Sequence, residues 1–85
     1  MTDITTAPTI RVNGDPRAVD PGSTLLALVV ALTGHALHPD GSRIDGGRLG
    51  VAAAVGGVVV PRGRWAQRVL GKGDDVEIVT AVQGG

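Results

Sequence analysis

The chain has 85 residues, eight Lys and Arg against eight Asp and Glu, and a formal net charge of zero; that leaves room for one domain and excludes a nucleic-acid binder resting on many phosphate contacts. It has no Cys, which excludes disulfides, thiolate nucleophiles and thiolate metal sites and is consistent with a reducing compartment. Stability must come from an aliphatic core drawn from thirteen Val, seven Leu and four Ile around a single Trp, with no Phe and no Tyr.

Residues 1–8 are polar, end at Pro8 and read as a loose lead-in. MTDITTAPTIRV lacks the continuous apolar stretch of a signal peptide, and the longest aliphatic run, Leu25 to Leu32, is far below the roughly 18 residues of a membrane span. The expectation is a soluble, cytoplasmic, one-domain protein with no nucleic-acid or membrane partner. Thr9 to Asn13 alternates, with Ile10 and Val12 on one face and Arg11 on the other, the period of a half-buried strand. Gly14, Asp15 and Pro16 supply turn chemistry and Arg17 to Val19 a short partner, so residues 9–19 read as a hairpin. Asp20, Pro21 and Gly22 then break the pattern.

Ser23 or Thr24 caps a helix running to about Thr33, with Leu25, Leu28, Val29 and Leu32 on one stripe, and Gly34 ends it. Residues 35–50, HALHPDGSRIDGGRLG, hold no sustained period and read as a long loop with Ile44 or Leu49 turned inward. Val51–Val55 and Val58–Val60 flank Gly56 and Gly57, a two-residue turn tolerant of positive φ, and form a second hairpin. Pro61 interrupts pairing; Arg62 to Leu70 reads as a turn or short helical segment anchored in the core by Trp65 and Leu70. Gly71 to Asp74 turns into a last strand, Val76 to about Val82, with Val76, Ile78, Thr80 and Val82 on one face and Glu77, Val79 and Ala81 on the other. The order strand, strand, helix, strand, strand, strand implies an α+β fold, a mixed sheet of about five strands packed on one main helix.

Enzyme chemistry finds little support in these residues. Ser23 and Ser42 lie in no nucleophile-elbow setting, and Lys72 is followed by Gly73 rather than Ser or Thr, so no triad or phosphate-binding loop is present. GGRLG at 46–50 does not match a dinucleotide fingerprint. His35 and His38 near Asp40 lack both a third ligand and a helix, so the segment reads as solvated loop rather than a metal site. The closing Gly84-Gly85 is a different matter. Two residues without Cβ make the slimmest peptide available and would carry a terminal carboxylate through a narrow channel. That carboxylate, with a pKa near 3.5, is ionised at neutral pH and needs activation, for instance as an acyl-adenylate. The alternative is a frayed terminus of no consequence.

GDDVEIVTAVQGG (73–85) and VVVPRGRWAQRVL (58–70), with the opening IRVNGDPRAV and the Thr-Leu-Leu helix after Pro-Gly, closely resemble the ThiS family of sulfur carrier proteins of thiamine biosynthesis. The resemblance implies a ubiquitin-like β-grasp fold with the first and last strands central, adjacent and parallel. It implies a carrier, not an enzyme, with no permanently bound cofactor. The carboxylate of Gly85 would be adenylated by an E1-like adenylyltransferase using ATP and magnesium. It would then become a thiocarboxylate with sulfur from a donor such as a cysteine desulfurase, and would donate that sulfur to thiazole synthase. On this reading Gly84, Gln83 and Val82 form the tail that enters the partner's active site, and Val79 and Ala81 are candidate docking residues if Val76 and Ile78 are core. The long loop and a Gly56-Gly57 turn in place of an Asn-Gly type turn are departures from the family pattern. Three alternatives stand beside it: the small subunit of molybdopterin synthase, a regulatory β-grasp module, and a protein-conjugating ubiquitin-like modifier.

Overall fold

The computed structural model describes residues 7–80. The elements are β1 (Thr9–Val12), β2 (Asp15–Ala18), α1 (Leu25–Thr33), β3 (Val51–Val55), β4 (Val58–Val60), a 3₁₀ turn at Arg62–Arg64 and β5 (Asp75–Thr80). They build one five-stranded mixed sheet in the order β2-β1-β5-β3-β4, with β1 and β5 parallel and the other neighbours antiparallel. One helix covers one face of the sheet. This is the α+β, ubiquitin-like β-grasp arrangement, with the first and last strands adjacent and parallel at its centre.

Each hairpin is closed by a two-residue turn with both central φ values positive: 50° at Asn13 and 88° at Gly14, then 59° at Gly56 and 82° at Gly57. That conformation matches the right-handed twist of the flanking strands and favours Asn and Gly. The first turn therefore lies one residue earlier than the expected Gly14 to Pro16, and Asp15 and Pro16 belong to β2. Pro16 is accommodated because it sits on the sheet edge.

α1 is nine residues long and marginal alone, so its ends need partners. Its first amides, which no helical carbonyl can reach, are all satisfied. Leu25 N–H donates to Arg68 O at 2.8 Å, Leu26 N–H to Trp65 O at 3.1 Å and Ala27 N–H to Thr24 Oγ1 at 3.2 Å. The 62–70 segment is thus a cap as well as a connection. Its Trp65 is buried and donates Nε1–H to Val60 O at 2.9 Å, and Leu70 is buried beside it. At the other end Gly34, at φ 74°, donates its N–H to Val30 O and stops the helix.

The core gathers Ile10, Leu25, Leu28, Val29, Val51, Ala53, Val55, Trp65, Leu70 and Val76, with Leu26, Leu37, Leu49 and Ile78 packed against it. One apolar expectation is corrected, and of Ile44 and Leu49 it is Leu49 that turns inward. Leu32, in the last turn of α1 beside the first hairpin, is 40 % exposed, and Leu26 packs against the core. Ile44 is also exposed, since the 35–50 loop folds on itself through the Leu37–Arg43 bridge and turns Leu37 and Leu49 inward. No helix among the described residues is long and apolar enough to cross a membrane.

Candidate functional site

The alternation of β5 separates a buried face from an open one. Val76 is buried and Ile78 half-buried under α1, whereas Asp75, Glu77 and Val79 face away. Val79 is 61 % exposed. Cross-strand register brings small apolar residues beside it: Ala52 of β3 lies directly opposite Val79, Ala54 opposite Glu77, and Val59 of β4 opposite Ala54. These side chains line a shallow depression of about 260 Å³ with Gly57 at its end. A second depression of about 310 Å³ runs from Val79 and Ala52 to Gly50, Val51 and Arg62. The open face near the end of β5 is therefore apolar and low in relief, edged by the carboxylate of Glu77 and the guanidinium of Arg62.

Of the expected site residues, Val79 lies on this face. Ala81, Val82, Gln83, Gly84 and Gly85 lie outside the described residues. Ala52, Ala54 and Val59 were not foreseen. The alternation of VAAAV was the available signal, but Ala occupies both of its faces, so no polarity contrast marked the outward one.

The approach to the end of β5 is held from both sides. On one side it pairs with β3 as far as Thr80 opposite Val51. On the other, β1 pairs only through Val12 opposite Val76, with Asn13 N–H donating to Val76 O at 2.8 Å. Beyond that the side chain of Asn13 takes over: its Oδ1 accepts Ile78 N–H at 2.8 Å and its Nδ2 donates to Ile78 O at 3.2 Å.

Other polar groups do not converge on a reaction centre. Ser42 Oγ donates to Asp40 Oδ1 at 2.5 Å inside the loop, and Arg43 pairs with Asp45. The Ser42 hydroxyl and then its backbone N–H hold the Asp40 carboxyl below its ordinary value. The Arg43 guanidinium, followed by Gly47 N–H, does the same for Asp45. No group of three or more His, Asp or Glu able to hold a metal gathers among the described residues. The depression of about 240 Å³ between β2 and α1 contains Ser23 and Asp20, but the Ser23 hydroxyl makes no hydrogen bond to the Asp20 carboxylate and no His lines it. What the described surface offers is an exposed apolar face along the second half of β5.

Comparison with known proteins agrees with that shape. No curated protein matches the chain. The model of the ThiS family matches residues 10–85, nearly the whole sequence, from the Ile10 strand to the closing Gly-Gly. The chain belongs to the ThiS family of ubiquitin-like sulfur carriers.

Proposed function

We propose that the chain carries sulfur as a thiocarboxylate on Gly85 and delivers it to the enzyme that builds the thiazole ring of thiamine. The observation that carries this reading is the family match running through Gly84-Gly85, reached from a central strand with an apolar face beside it.

An ionised carboxylate resists attack by a sulfur nucleophile. An E1-like adenylyltransferase using ATP and magnesium would convert it to the acyl-adenylate, with pyrophosphate leaving. The outer sulfur of a persulfide on a donor such as a cysteine desulfurase would then displace AMP to give an acyl persulfide, and a second thiol would cleave its S–S bond, forming a disulfide with the donor sulfur and leaving the thiocarboxylate. The chain's own contribution is positional. Gly84 and Gln83, with Val82, would pass through a narrow entrance, and Val79 and Ala81 would lie against its rim. A sulfur atom held covalently cannot diffuse away, and the carrier needs no thiol to hold it, which suits a chain without Cys. The same attachment would serve in the reducing cytoplasm.

Incubating the protein with an adenylating enzyme, ATP, magnesium and a sulfur source should exchange one oxygen for sulfur at Gly85, read by intact and fragment mass spectrometry. Deleting Gly84 and Gly85 should abolish the exchange and leave the melting curve nearly unchanged. Absence of the mass change in the full chain with a competent enzyme overturns the carrier reading, and acyl transfer to lysines would replace it with a protein modifier.

A further inference from the structure

β1 and β5 meet over a short stretch. Arg11 N–H donates to Asp74 O and Asn13 N–H to Val76 O, and there the chain turns away into β2. In a parallel ladder the next residues of β1 would have accepted Ile78 N–H and donated to Ile78 O. The turn removes them. Gly56 N–H donating to Asp75 O shows that Asp75 faces β3, so by alternation the backbone of Val76 and Ile78 faces β1. Without a partner, Ile78 would leave both of its polar backbone groups unpaired on that side.

The Asn13 side chain fills that place with a donor and an acceptor at once. Its primary amide has the donor and acceptor geometry of a peptide group, and the pair of bonds to one residue, 65 positions away, at 2.8 and 3.2 Å is what a continued strand would have made. The residue type is doubly constrained. Asn13 sits at φ 50°, where only Gly and the short Asn and Asp are at ease, and Gly would close the turn equally well but could not reach Ile78.

We propose that Asn13 is a positioning residue for the C-terminal segment: its side-chain amide replaces a missing peptide of β1 and fixes the course on which β5 passes the chain on toward Gly85. The inference rests on the carrier reading. A partner whose active site lies at a fixed distance from the sheet face receives the terminal carboxylate only if the end of β5 keeps its line. Losing the clamp leaves the chemistry of the carboxylate intact and adds an ordering cost on binding, so the effect falls on KM rather than kcat.

Asn13→Gly keeps the turn and removes the clamp. Two modest hydrogen bonds lost correspond to about a tenfold rise in the carrier's KM for adenylation, with kcat unchanged. In the free protein, exchange of the Ile78 amide should quicken by about tenfold or more while that of Val76 stays slow. Asn13→Asp tolerates the same φ, but its carboxylate would oppose Ile78 O. Its other oxygen still accepts Ile78 N–H, so the Ile78 amide should stay protected at neutral pH while only the bond to Ile78 O is lost, and the rise in KM should be smaller than in Asn13→Gly. Thr24→Ala, which removes the helix cap and destabilises the fold to a similar extent, should move neither KM nor Ile78 exchange. A wild-type chain that is thiocarboxylated, together with an Asn13→Gly chain whose KM and Ile78 exchange lie within twofold of it, overturns the positioning role alone. A wild-type chain that is never modified overturns the carrier reading on which that role rests, and the exchange measurement then reports only on the strand.

Discussion

Val79 is a β-branched residue in a central strand, suited to the pleat, yet it faces away from the core at 61 % exposure. Its neighbours explain why the exposure is tolerable. Ala52 and Ala54 are too small to bury it, and they leave the backbone of the sheet close to the surface, where a flat partner can approach. Val79→Asp should therefore cost the fold under about 1 kcal/mol. It should lower kcat/KM for adenylation by about tenfold, as loss of an apolar anchor at the centre of an interface does. Val58→Asp is the control, since Val58 is 68 % exposed but lies on the other face at the rim of the core. Paired melting curves and activation kinetics separate the two variants, and equal losses of activity would mean that Val79 takes no part in docking. Gly41 shows the reverse situation. It is buried at φ 86°, and a Cβ there would come within 2.9 Å of the Arg62 carbonyl oxygen. Arg62 in turn lies over the Trp65 ring at 5.8 Å, so Arg62 stands between the loop tip and the residue that plugs the core.

Among elements, the two edges of the sheet share a device. Arg11 N–H points to β5, so Pro16, opposite Arg11, has its nitrogen on the outer side of β2, where it offers no donor to another strand. β4 is three residues long and runs straight into Pro61. Replacing Pro16 with Val should leave the hairpin paired and open a donor on the edge. Sedimentation equilibrium should then show several-fold tighter self-association than wild type, and unchanged association would mean that the edge is guarded by something else. Elements of this kind were largely legible in the sequence, because a turn of two small residues, a capped aliphatic stripe and an alternating Ile-Arg-Val each carry their own local signal. Leu32 was misjudged, and Ile44 and Leu49 stood as alternatives, because hydrophobicity does not say how far the end of a helix is covered or how a loop folds on itself. The Asn13 clamp spans 65 positions and could not be read at all. The Asn-Gly pair marks a turn, and only the parallel register of β1 and β5 gives its amide a second use.

At the scale of the whole molecule, a domain without disulfides or a second aromatic has to hold a sixteen-residue excursion, residues 35–50, against its core. Leu37 and Leu49 pack it against the core, and two carboxylate hubs tie the loop to itself. Asp40 Oδ1 accepts Ser42 N–H at 2.9 Å as well as the Ser42 hydroxyl, and Asp45 Oδ1 accepts Gly47 N–H at 2.9 Å while pairing with Arg43. Both carboxyls are held below their ordinary value by these donors. The sign follows from linkage. A carboxyl whose pKa is lower in the folded state lends stability that is complete above its unfolded value of about 3.9 and is lost as pH falls through the folded value. The loop should accordingly be unchanged from pH 7 to about 5 and should loosen below the ordinary carboxylate range. Trp65, buried and alone, reports on the core separately, because its emission shifts to the red only when the core itself opens. On acidification, the protection of the Ser42 and Gly47 amides relative to the unfolded chain at the same pH should fall before the Trp65 emission moves. In the Asp40→Asn, Asp45→Asn double variant the loop amides should already be poorly protected at neutral pH, and their protection should lose its acid dependence. Coincident loop and Trp65 transitions in the wild type would show instead that the loop and core open as one unit, with the carboxylate hubs acting on the stability of the entire fold.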